Sequence, residues 1–253
     1  MYSAVIVSIN GHNLQVETYG PQDGPVVVLL HHGLGSARAW KSQTPALAAA
    51  GYRVIAYDRW GYGDSGTRPE LGMPLFEDDI LDLDALLDEL GAQPASLVGH
   101  SDGGTLALYY ASQQPLRVAR LVVVAAHIYI EPKMDTGIRG VRQVFENDAR
   151  FREGLHRLHN EKAESVFRHW FEGWVKPENL SWDMRPVLGQ IACPTLVVQG
   201  VEDEHATPQH ARDTAKAIPH ANLWLLENAG HMLPQDRPDE FNARLLEFLN
   251  GGD

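Results

Sequence analysis

The stretch Leu97–Tyr110, "LVGHSDGGTLALYY", decides how the rest of the chain is read. Apolar, strand-like residues run into a serine bounded by glycines, and a helix-like run follows. Gly99-His100-Ser101-Asp102-Gly103 fits G-x-S-x-G. Alone, this pentapeptide is moderately specific. Here "ASLVG" precedes it and "GGTLALYYASQQ" follows it. That context reads as the sharp strand-to-helix turn that holds a nucleophilic serine above a sheet. The turn is tight, so small residues must flank it to avoid neighbouring backbone. The following helix aims its N–H groups and positive end at the same place. A plainer alternative is a serine N-cap whose glycines serve helix–strand packing; the context favours the nucleophile.

Outward from this stretch, "PVVVLLHH", "RVIAYD", "ARLVVVAA" and "PTLVVQG" share the continuous β-branched character of strands buried on both faces, with "NLWLLE" a weaker example. Helix-like segments lie between them. Residues 36–50 are Ala-rich, and "LFEDDILDLDALLDEL" places Ile80, Leu83, Leu87 and Leu90 on one helical face, with its acids read as a solvated face. This alternation runs through residue 126 and resumes after residue 192, which implies a mostly parallel α/β sheet flanked by helices. "SAVIVSI" and "NLQVETY", separated by "NGHN", read as an opening hairpin. Residues 127–190 break the pattern. That segment is helical, basic and aromatic, and it sets Phe167, Trp170, Phe171 and Trp174 at i, i+3, i+4 and i+7. Such a stripe packs on a core, roofs a pocket, or does both. The expected division is a core of 1–126 and 191–253 with a helical lid of 127–190.

The chain has 253 residues, enough for one well-buried core. Its net charge of −12 argues against nucleic acid and anionic membranes as partners. No apolar run is long enough to span a bilayer. The start, "MYSAVIVSIN", reads as a strand and lacks the features of a secretory signal. The single cysteine, Cys193, excludes an internal disulfide, so a cytoplasmic location is expected.

A serine hydroxyl is a weak nucleophile at neutral pH and needs a base, which in turn needs an orienting acid. For this motif the chain order is serine, acid, histidine. "VVQGVEDEHATP" offers an acid just past a buried strand, and "LLENAGHMLPQ" offers a histidine past the last strand. The choice is Ser101, Asp203 and His231, with Glu202 the main rival acid and Glu204 a lesser one. Two donors must hold a tetrahedral oxyanion. The backbone N–H of Asp102 supplies one. The loop "HHGLGS", residues 31–36, supplies the other through Leu34, with Gly33 and Gly35 read as residues that let the backbone turn sharply. Among the other histidines, His156 and His159 are placed on a lid helix. His156-x-x-His159 lacks further ligands, so no metal site is read.

These residues carry a family resemblance. "HHGLGSARAW", "DRWGYGDSG", "GHSDGG", "GVEDEHATP" and "NAGHMLPQDRP" stand in the order and spacing of the α/β-hydrolases, and the likeness covers almost the full chain. The resemblance implies an eight-stranded, mostly parallel sheet, with the lid inserted after the sixth strand, and a serine hydrolase. It gives "DRWGYGDSG", Asp58–Gly66, a bracing role beside the oxyanion strand. "GHSDGG", "WFEGW" and "IACPTLVVQG" are similar to the valacyclovir-hydrolase (biphenyl hydrolase-like) branch, in which the acid after the nucleophile receives a substrate ammonium; the matching residue is Asp102. His100 stands where that branch tends to carry Trp. His100, Asp102, Trp170 and Trp174 are the expected substrate-binding residues.

The leading expectation is a hydrolase of small or medium carboxylic esters that needs no cofactor. An α-amino ester hydrolase is one alternative. A carbon–carbon bond hydrolase of ring-cleavage products is another, with Arg139, Arg142 and Arg168 as its candidate carboxylate binders. A non-hydrolytic small-molecule binding protein on the same fold is the alternative of a different class. Haloalkane dehalogenases and epoxide hydrolases carry Asp where this chain has Ser101. The sequence leaves the oligomeric state open.

Overall fold

The computed structural model describes residues 2–252. Met1, the first residue of the expected opening strand, lies outside them. The chain opens with strands β1 (Tyr2–Ile9) and β2 (His12–Tyr19). Ile9 pairs with His12 across the two-residue turn Asn10-Gly11, both at positive φ (49° and 87°), as a type I′ hairpin requires. There follow β3 (Val26–Leu30), a 3-10 turn at Ala37–Trp40, helix α1 (Gln43–Ala49), β4 (Arg53–Tyr57), α2 (Glu77–Glu89) and β5 (Ala95–His100). Helix α3 (Asp102–Gln113) and β6 (Val118–Val124) complete the first part. Four helices come next: α4 (Pro132–Asn147), α5 (Ala149–His159), α6 (Ala163–Val175) and α7 (Arg185–Leu188). The chain then returns to the sheet through β7 (Thr195–Gly200), α8 (Pro208–Ala217) and β8 (Ala221–Leu226), and ends with α9 (Leu233–Asp236) and α10 (Pro238–Leu249).

The eight strands form one sheet in the order β1-β2-β4-β3-β5-β6-β7-β8. β1 and β2 are antiparallel, β2 pairs antiparallel with β4, and all other pairs are parallel. Alternation along the central strands divides the core. Val28, Leu30, Ile55, Leu97 and Val123 pack on one face with α2, α3 and α8. Val27, Leu29, Val54, Val98 and Val122 pack on the other with α1 and α10. The β-branched runs are therefore buried on both sides.

Two local expectations change. The Ala-rich segment splits into the 3-10 turn and the short α1. On α2, Ile80, Leu83 and Leu87 are buried as expected, but so are Asp79 and Asp82. Asp79 accepts from Arg59 Nη1 at 3.3 Å and Arg68 Nη1 at 2.7 Å. Asp82 accepts from Asn10 Nδ2 at 2.9 Å and pairs with His12 at 2.8 Å. Partners carried in from distant segments draw Asp79 and Asp82 into an interior polar network, while Glu77, Asp78, Asp88 and Glu89 stay exposed as expected.

Candidate active site

β5 runs directly into α3 at Ser101, whose φ of 53° and ψ of −119° lie outside the ordinary regions. Strain of this kind persists only where the surroundings fix it. Ser101 N donates to Val124 O at 2.8 Å. A side chain on Gly99 would strike the Gly103 carbonyl, and one on Gly103 would strike the Leu30 carbonyl. Both glycines therefore allow close backbone approach. The Ser101 side chain makes no capping hydrogen bond to α3, which sets aside the N-cap alternative.

His231 and Asp203 reach the same place from the ends of β8 and β7. His231 Nδ1 lies 3.1 and 3.0 Å from the two Asp203 carboxylate oxygens. Asp203 is fully buried and also accepts from the N–H groups of His205 (2.8 Å) and Ala206 (3.2 Å). Burial alone would raise its carboxyl, but the His231 imidazole and these donors outweigh that and hold it well below the usual range. Burial pushes His231 down, and the Asp203 charge more than reverses that, leaving it above the ordinary imidazole value. Glu202 is exposed. Glu204 Oε2 accepts from His231 N at 3.1 Å, which fixes the backbone of the histidine and leaves the ring to Asp203.

Leu34, Asp102 and Ser101 all line a cavity of about 810 Å3. Neither Gly33 nor Gly35 has positive φ, so sharp turning is not the reason for glycine there. A side chain at Gly33 would collide with the Trp170 indole and the Asp102 carboxylate, and one at Gly35 with the His32 ring. The loop is braced from behind. Asp58 accepts from Ala37 N (2.7 Å) and Asp64 N (2.8 Å). His31 Nε2 accepts from Arg59 N at 3.1 Å. His159 Nδ1 accepts from Gly63 N at 2.9 Å, and its Nε2 donates to Leu34 O at 3.1 Å.

The expected binding residues separate. Asp102, Trp170 and Trp174 line the cavity. His100 does not: it is fully buried under the site, with Nε2 at 2.9 Å from the His231 carbonyl and its ring against His32, Trp40 and His231. The aromatic stripe divides likewise, since Phe167 stacks on Phe145 at 3.8 Å while Trp170 and Trp174 face the cavity. Arg139 and Arg142 pair with Asp135 and Glu146 on an exposed helix face, and Arg168 is exposed beside His169, so none of the three reaches the cavity. Sequence reasoning missed His127, which lines the cavity beside His231, as does His205. It also missed His159 and Arg59, whose roles depend on contacts between segments remote in the chain. Among the described residues, no group of three or more His, Cys, Asp or Glu side chains is placed to hold a metal ion, and no helix is long and apolar enough to cross a membrane.

The sheet order and the strained serine after β5 define the α/β-hydrolase fold. A model of the alpha/beta hydrolase family matches residues 27–244, and the chain belongs to that family. It is 30% identical over 274 residues to the non-heme chloroperoxidase of Streptomyces lividans, covering 96% of this chain and 98% of that one. It is 30% identical over 249 residues to the human serine hydrolase BPHL, covering 96% and 85%. A solved hydrolase from Pseudomonas aeruginosa superposes with a TM-score of 0.77 at 27% identity, covering 98% of each chain.

Proposed function

We propose that the protein is a serine hydrolase of small or medium carboxylic esters. The observation that carries this reading is a strained Ser101 on the same cavity wall as a His231 that is held by a buried, ionised Asp203. In this reading Ser101 Oγ attacks the ester carbonyl while His231 Nε2 takes its proton. Asp203 holds the imidazole tautomer and offsets the imidazolium charge. The N–H groups of Leu34 and Asp102 hold the oxyanion. His231 returns the proton to the leaving alcohol, and water then releases the acid by the same route. Ser101 and His231 share no hydrogen bond among the described residues; nucleophile–base contacts of this type tighten in the Michaelis complex. Helices α4–α6 serve as the lid, because their side chains form the wall opposite the strand ends.

The test is labelling of the folded protein by a fluorophosphonate, with turnover of a 4-nitrophenyl ester measured in parallel. Both are expected to disappear in Ser101→Ala. Absence of label on the folded wild type, under conditions that label a control esterase, would overturn the reading in favour of a binding protein.

One observation favours a second reading. Asp102 lines the cavity and its buried Oδ2 has no hydrogen-bond partner, as a carboxylate awaiting an ammonium group would. Burial pushes its carboxyl up to about 6, so it is largely ionised above neutrality. Against this, Arg59 Nη2 lies 3.9 Å from the same oxygen and already balances its charge. A matched pair, an α-amino acid benzyl ester and its N-acetyl derivative, separates the readings. A strong preference for the free amine that is lost in Asp102→Asn would establish the amino-ester reading.

A further inference from the structure

The cavity has a charge pattern opposite to that of the chain. The protein carries a net charge of −12. Yet the charged side chains on the cavity wall, histidines aside, are Asp102 and three arginines, Arg38, Arg150 and Arg157. Asp102 sits at the buried end beside Ser101, with Arg59 behind it. The three arginines are exposed and so mark the solvent end. Arg38 comes from the 3-10 turn after β3, and Arg150 and Arg157 come from the two ends of α5. Arg38 Nη1 lies 3.5 Å from the Arg157 carbonyl, which places segments more than a hundred residues apart at one rim.

These charges are poorly balanced. Arg38 pairs with Asp64 at 3.7 Å in solvent. Arg150 and Arg157 make no ion pair among the described residues. Asp148, the acid nearest Arg150 in sequence, spends one oxygen on the N–H groups of Arg150 and Phe151. The same wall carries the apolar Ile138, Val141, Phe151, Leu155 and Leu158. Guanidinium groups are matched to carboxylates by their fork of donors and their permanent charge.

We propose that the cavity selects substrates with an apolar body ending in a carboxylate, which Arg38, Arg150 and Arg157 hold at the end remote from the scissile bond. This substrate class rests on the hydrolase reading above. A lone exposed guanidinium–carboxylate contact is weak, so the discrimination comes from the three together, about tenfold at low salt. It decreases as salt screens the rim.

The test compares the wild type with Arg38→Gln/Arg150→Gln/Arg157→Gln. The first readout is the ratio of kcat/KM for mono-4-nitrophenyl adipate to that for 4-nitrophenyl heptanoate. The second is the ratio of affinities for 6-phenylhexanoate and its amide, by titration calorimetry on proteins that also carry Ser101→Ala. A fall in the binding ratio of threefold or more in the triple variant, reproduced in the wild type by 0.5 M salt, supports the rim. A smaller change overturns it. The binding ratio needs no turnover, so a protein that cleaves neither ester yet loses carboxylate binding in the triple variant would refute the hydrolase reading and keep the rim. Ester cleavage that depends on Ser101, with an unchanged binding ratio, would do the reverse.

Discussion

Trp174 Nε1 donates a hydrogen bond of 3.2 Å to Asp102 Oδ1, joining helix α6 to the residue that follows Ser101. Both side chains are buried. The bond ties the helical segment to the strained turn at Ser101, and it supplies a donor to a buried carboxylate whose nearest cation is Arg59 at 3.9 Å. Removing a donor from a buried charged group costs about 1.5–3 kcal/mol. Trp174→Phe is therefore expected to lower the unfolding free energy, read from urea titrations, by that much. In an Asp102→Asn background the same change is expected to cost at least about 1 kcal/mol less, since the charge it served is gone. Equal costs in both backgrounds would show that the two residues are not coupled.

Gly103 tests the close packing beneath the serine. A Cβ there would enter the space of the Leu30 carbonyl, which is strand backbone and cannot swing away as a flexible side chain would. Gly103→Ala is expected to destabilise the fold by roughly 2–4 kcal/mol and to displace α3. Gly140, with open space around its Cα, is the control: Gly140→Ala, within α4, is expected to stabilise slightly. Thermal melts of the two variants check this contrast.

The sheet and the candidate triad were legible because their signals are local. Each central strand is a β-branched or apolar run, and Ser101 and Asp203 each stand just past one, while His231 follows the weaker edge strand β8. Residues whose place depends on remote partners were not legible. His159 does end a helix, α5, but nothing in "RLHN" shows that its ring bridges Gly63 and Leu34. The acids of α2 were read as solvated because the arginines that neutralise Asp79 lie in another loop. His100 was counted as a binding residue because it neighbours Ser101. Alternation along β5 and the turn of the elbow send its ring beneath the site, away from the cavity. Arg139, Arg142 and Arg168, the expected carboxylate binders, stand on α4 and α6 away from the cavity, whereas Arg38, after β3, and Arg150 and Arg157, on α5, line it.

Acid stability follows from the buried histidines. Burial lowers His31, His100 and His127 well below the usual imidazole value, His32 to about 3, and His159 and His205 to about 4. Their folded pKa values lie below the unfolded value of about 6.5. The folded state thus binds fewer protons, and their contribution is complete above about pH 6.5 and lost as pH falls. Asp203, whose pKa is lowered, adds to the loss at still lower pH. His231 and Asp102, both raised, titrate in the opposite sense. The net expectation is a steep fall in unfolding free energy between pH 6.5 and 5. His127→Phe should reduce that slope by about 1.4 kcal/mol per pH unit, one proton's share. Urea titrations at pH 7.5, 6.5 and 5.5 measure it, and an unchanged slope would show that His127 is not held neutral.

The pH dependence of turnover separates the roles of His231 and Asp203. A base must be neutral to take the serine proton, so kcat/KM is expected to rise with pH through the pKa of His231 in the free protein. Burial and the Asp203 carboxylate act on that group in opposite directions, and the carboxylate prevails. The wild-type midpoint is therefore expected above about 6.5, the ordinary value. Asp203→Asn removes the charge and leaves the burial, so the midpoint should move down while kcat/KM at high pH falls about 10³–10⁴-fold, because the imidazole loses its tautomer and its counter-charge. The two effects together distinguish an orienting acid from one that merely supports the fold. A purely structural Asp203 would lower the yield of folded protein and leave the midpoint of the surviving activity where it was. A fall in rate with a downward-shifted midpoint can arise only if Asp203 acts through His231.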